Sequence, residues 1–152
     1  MSTDYEPGDV SQQPAYQPDG PTVAIIVAVS IATAAVIAGS FGPWMTANGG
    51  AIYGMEGPEQ FGLGGLIWGL GAGAAAWAGL ARRSRRWLIA AVVAFGIVAL
   101  GNNVDVKDIQ EIATDPEFAA VRVGFGLAAT IAGGVVGSVA CVAAAIRNKP
   151  VA

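Results

Sequence analysis

The chain has 152 residues, of which 54% are hydrophobic and only 12% charged, with 22 glycines, one cysteine and no histidine. A water-soluble domain carries about 25% charged residues because its surface faces water, so much of this surface is expected to face lipid. Eight Lys and Arg against eleven Asp and Glu argue against a nucleic-acid-binding domain, and a lone cysteine excludes an intrachain disulfide scaffold.

Residues 1–21 are polar, rich in Pro and Gln, and contain no Lys or Arg. With almost nothing apolar to bury, they are expected to form a disordered cytoplasmic tail. An uncharged Val/Ile/Ala-rich run follows over about 22–42, the length a helix needs to cross roughly 30 Å of hydrocarbon. Its acidic flank favours a retained anchor over a cleaved signal peptide, whose leading region is basic. Beyond it, Trp44 is placed as an interfacial anchor, and Asn48-Gly49 before Ala51-Ile52-Tyr53 predicts a short hairpin lying on the bundle.

A second uncharged run covers 61–81, and Arg82, Arg83, Arg85 and Arg86 separate it from a third over about 87–104, which opens on Trp87, a second interfacial anchor. Between 102 and 122 the three-residue spacing of Val106, Ile109 and Ile112 predicts a separate short amphipathic helix, capped by Asn103 or Asp105 and resting at the interface. The fourth run ends at Ile146, with a short tail over 148–152. Asp115-Pro116-Glu117 offers an N-cap, a first-position proline and a first-turn acid, placing the start of the last helix at about 116. The expected architecture is all-α: a four-helix membrane bundle over 22–147 with spans at about 22–42, 61–81, 87–104 and 116–146.

Lys and Arg resist translocation, and the arginine turn and C-terminal tail hold most of them, so both termini are expected on the cytoplasmic side. The outward loops then carry the acidic excess, Glu56, Glu59, Asp105, Asp108, Glu111, Asp115 and Glu117. The four arginines also suit anionic lipid headgroups, at about 1 kcal/mol each.

Within lipid no hydrophobic force joins helices, and small residues that let backbones approach take its place. On a helical wheel Gly62, Gly65, Gly69 and Gly73 form one stripe flanked by Trp68 and Trp77. Gly126, Thr130, Gly133, Gly137, Cys141 and Ala144 form another, opposite Leu127, Ile131, Val135, Val139, Val142 and Ile146. These stripes either close the bundle or leave a seam for a membrane-protein partner or a second copy. Thr33, Ser40, Thr130 and Ser138 are expected to bond their own helix carbonyls, and Cys141 to be an inert packing residue.

The uncharged runs lack the intramembrane ionisable residues that coupled transporters use. The absence of histidine and of a nucleophile beside a base argues against an enzyme, and no cofactor or metal site is expected.

The Pro/Gln/Tyr tail, the first span ending in Phe41-Gly42-Pro43-Trp44, the glycine-rich first loop, the basic turn and the Ala/Gly/Val-heavy composition together resemble the small four-span membrane proteins of actinobacteria and their temperate phages. The resemblance covers about 22–147. It implies a bacterial inner-membrane location and carries over no functional residue. The expected function is non-enzymatic protein–protein interaction, as an accessory subunit or regulator of an envelope complex. The alternative is a phage-encoded protein of superinfection immunity or holin-like membrane perturbation.

Overall fold

The computed structural model describes residues 20–47, 49–56, 61–114 and 120–148. Residues 1–19 of the expected tail, and the Asp115-Pro116-Glu117 helix start, lie outside them. The elements in chain order are α1 (Gly20–Phe41), β1 (Pro43–Ala47), β2 (Gly50–Tyr53), α2 (Phe61–Ala81), α3 (Arg85–Ile112), β3 (Arg122–Val123) and α4 (Phe125–Arg147). All four helices are long and apolar enough to cross a membrane.

The helices run alternately up and down, each packed on two neighbours, in a ring closed by α1 against α4. Their antiparallel sense follows from the contacts. Gly69 meets Val36 and Gly73 meets Thr33 between α2 and α1, while Gly133 meets Ala32 and Gly126 meets Gly39 between α4 and α1. One end of the bundle therefore holds the start of α1, the α2–α3 turn and the end of α4. Large side chains are few inside. Phe95, Leu88, Leu127, Val29 and Val36 are fully buried, and alanines and glycines occupy most other interior positions. Ile31, Ile67, Leu100, Val139 and Ile146 are each at least 60% exposed, a distribution suited to a lipid solvent.

The tight turn between α2 and α3 has a defined mechanism. Arg83 adopts a left-handed conformation (φ 48°), the N–H of Ser84 donates to the carbonyl of Gly79 at 2.9 Å, and that of Arg83 to Leu80. This pair of bonds is a Schellman motif, which satisfies the last carbonyls of α2. Ser84 then opens α3 in an extended conformation.

The opposite end carries a feature absent from an all-α expectation, a three-stranded antiparallel sheet in the order β2-β1-β3. The predicted hairpin is present, with Ala47 opposite Gly50 and Gly49 at φ +83°, a conformation glycine adopts without penalty. Met45 and Thr46 pair on their other side with Val123 and Arg122, joining the first loop to the approach to α4.

Two helix boundaries differ from expectation. α3 runs unbroken through 28 residues to Ile112, so the separate helix predicted over 106–112 is the extension of the third span. At 1.5 Å per residue α3 is about 42 Å long, longer than the roughly 30 Å that a helix needs to cross hydrocarbon. α4 starts at Phe125, with Gly124 as its N-cap. Arg122 and Val123 are extended because they pair with β1, so no helix passes continuously from 116 to 146.

Candidate functional site: a polar layer between glycine seams

The predicted stripes lie inside the bundle. A Cβ on Gly69 would overlap Val36, and one on Gly73 would stand 2.6 Å from Thr33 Cγ2. One on Gly133 would lie 2.7 Å from the carbonyl oxygen of Ala32, and one on Gly137 2.7 Å from the Phe95 ring. Real Cβ atoms do not sit so close, so these positions are glycine because a neighbouring helix occupies the space. Gly126 fits against Gly39 of α1 and Gly42 just beyond it, and Gly62 against Ser40 and Gly54. The seams thus join helices of this chain to one another and are not available as an open groove.

The face assignments on α4 hold except at Leu127 and at Ile131, which is half-buried. Gly126, Thr130, Gly133, Gly137, Cys141 and Ala144 are buried, whereas Val135, Val139, Val142 and Ile146 are exposed. Leu127, expected on the outer face, is fully buried. Trp68 and Trp77, expected to flank the α2 glycine stripe, are each nearly half exposed.

Trp44 also departs from its expected role. It is 4% exposed, and its indole Nε1 donates to the carbonyl of Gly39 at 2.9 Å. The register explains this. Pro43 opposes Tyr53 and Met45 opposes Ile52, leaving Trp44 as the extra residue of a β-bulge, a device that re-aims a side chain. Gly54 lies flat against the indole. Trp44 is therefore a plug in the end of the bundle, whereas Trp87 is 45% exposed beside the basic turn.

Directly beneath this plug the four helices bring polar residues to one level. Ser40 of α1, Asn102 of α3 and Thr130 of α4 are the buried polar side chains among the described residues, and Gly65 of α2 faces them. A Cβ on Gly65 would lie 3.0 Å from Ser40 Oγ, 3.4 Å from Thr130 Cγ2 and 3.8 Å from Asn102 Nδ2. Ser40 donates to Val36 O at 2.8 Å and Thr130 to Gly126 O at 2.9 Å, the i−4 back-bonding open to hydroxyls in helices. Thr33 behaves likewise toward Val29. Ser138 does not, and its hydroxyl donates across to Val92 O of α3 at 3.4 Å. Asn102 Nδ2 is the one buried side-chain nitrogen or oxygen without a hydrogen-bond partner among the described residues. The sequence put Asn102 at the border between the third run, over about 87–104, and the loop that begins at 102. The available signal was that the uncharged run continues past it to Val104, which places an amide inside a helix that has not yet left the bundle.

The two ends differ in charge. Arg82, Arg83, Arg85, Arg86 and Arg147 are exposed at the end holding the α2–α3 turn, and Glu56, Asp108 and Glu111 at the sheet end. Asp105, half-buried where α3 emerges, has its carboxyl pKa raised, by burial first and by the neighbouring Asp108 second. A cavity of about 260 Å³ lies beyond it, between Ile109 of α3, Ala113 at its C-cap and Val121–Val123. No grouping of three or more His, Cys, Asp or Glu side chains able to hold a metal occurs among the described residues. No family model, curated protein or solved structure matches the chain.

Proposed function

We propose that this chain is a non-enzymatic, multi-pass protein of a bacterial inner membrane, with both termini cytoplasmic. In this reading it acts by binding, as an accessory subunit or regulator of an envelope complex. The observation that carries the reading is the folded platform at the acidic end. A bundle that only needed to close would need short loops. This chain instead builds a sheet whose outer strand, Gly50–Tyr53, is exposed along its whole length, and extends α3 beyond the span. An exposed strand edge offers unpaired backbone groups to a partner, and the acidic side chains around it favour a cationic surface. Since the glycine seams are used within the fold, the partner surface is this platform together with the lipid-facing helix sides. The arginines at the opposite end contact lipid headgroups.

The test is purification of tagged protein from its native membrane in mild detergent, with crosslinking and mass spectrometry. A stoichiometric partner crosslinked through residues 50–56 or 103–114 is the expected result. A species that is alone or only self-associated overturns the accessory-subunit reading. The alternative, a phage-encoded protein of superinfection immunity or membrane perturbation, would then be tested by phage challenge and membrane-potential measurements on cells expressing this chain alone.

A further inference from the structure

We infer that Asn102, Ser40 and Gly65 form a binding site for one ordered water molecule, held between the helices beneath the Trp44 plug. Asn102 is 7% exposed and its Nδ2 has no protein acceptor, although an amide nitrogen carries two hydrogens to donate. Ser40 Oγ faces the same point of α2, since a Cβ on Gly65 would lie 3.0 Å from Ser40 Oγ and 3.8 Å from Asn102 Nδ2. The Ser40 proton is committed to Val36 O, so what the oxygen has left to offer is lone pairs. One side of this point therefore presents only a donor and the other only an acceptor, with no direct bond between them.

The group that completes such a pair must accept from Asn102 and donate to Ser40. It must also be small, since even a methyl at Gly65 would stand 3.0 Å from Ser40 Oγ. Water meets both demands, and two polar partners are enough to hold a buried one. A cation would face the amide hydrogens, and an anion would find no positive charge among the residues around it. The surroundings close the site. The Thr130 methyl forms one wall, and the Trp44 indole, fixed to Gly39 O and backed by Gly54, covers the Ser40 end. The site links α1 to α3, helices that do not adjoin in the ring, through a level to which α2 contributes only the missing side chain of Gly65.

The experiment uses the full chain in lipid nanodiscs, labelled with 15N-asparagine, the Asn102 side-chain signal being assigned from its loss in Asn102→Gln. The expected result is a cross-peak from the Asn102 side-chain amide hydrogens to the water frequency, with the sign of a long-resident molecule. Folded wild-type protein whose Asn102 amide shows no such cross-peak, or shows one only to protein protons, overturns the proposal. A double-mutant cycle on the unfolding equilibrium gives a second readout that does not depend on the assignment of the amide signal. Asn102→Ala and Ser40→Ala are expected to be coupled by at least about threefold through the shared water, and effects that multiply independently overturn the proposal.

Discussion

Asp105 stands where α3 leaves the apolar part of the bundle, and burial together with Asp108 raises its pKa above 3.8. The folded chain therefore takes up this proton more readily than the unfolded chain. The ionised carboxylate lowers stability at neutral pH, and that cost is relieved as pH falls through the folded pKa. Asp105→Asn is expected to raise the unfolding midpoint at neutral pH, with the gain vanishing below pH 3.8; detergent-solubilised protein unfolded at a series of pH values checks this. Trp44 contributes packing and one buried hydrogen bond to Gly39 O. Trp44→Phe, which keeps most of the ring, should cost about 1 kcal/mol from the lost bond. Arg83 occupies a backbone conformation that penalises a β-branched side chain. Arg83→Val should be less stable than Arg83→Gly by at least about 1 kcal/mol, a comparison in which both variants lose the guanidinium.

At the scale of the helices, the same substitution should have opposite signs on two glycines. Gly96 of α3 has nothing within 4 Å of where its Cβ would be, whereas Gly133 of α4 meets Ala32 O at 2.7 Å. Gly96→Ala should therefore stabilise by up to about 1 kcal/mol. Gly133→Ala should destabilise by about 1–3 kcal/mol, both read from unfolding midpoints. This contrast marks how far the sequence is legible. Residues in uncharged runs and small-residue stripes reveal themselves by local pattern, because a span needs length and a seam needs glycine every fourth position. Hence 62, 65, 69, 73, 126, 133 and 137 could be picked out, and so could the Asn48-Gly49 turn. What escaped depends on contacts between distant segments. Trp44 reads as an interfacial tryptophan until the bulge against Ile52 and Tyr53 turns it inward. Arg122-Val123 reads as part of a helix until β1 is there to pair with it. Asn102 reads as the border of span and loop, and only the continuation of α3 through it to Ile112 sets it inside the bundle.

For the whole molecule, the separation of basic and acidic ends makes orientation testable with single cysteines. In a Cys141→Ser background, an impermeant thiol reagent on intact cells should label Ala51→Cys on the exposed β2 and spare Ser84→Cys in the basic turn. The reverse pattern would invert the proposed topology. Replacing the four arginines of the turn with alanine should give a mixture of both patterns, because the main determinant of orientation is then gone. The sheet also sets an order of assembly. β1 and β2 are made early and close on each other through a tight turn, but the partner of β1 on its other side, Arg122-Val123, is synthesised only after α2 and α3. Until then the edge of β1 at Met45 and Thr46 lacks its partner, so the edge the hairpin offers on that side differs from the one the finished sheet presents. Any chaperone or assembly partner that reads this edge of β1 would meet it only before Arg122 and Val123 arrive, and the segment that leads into α4 both completes the sheet and withdraws the invitation.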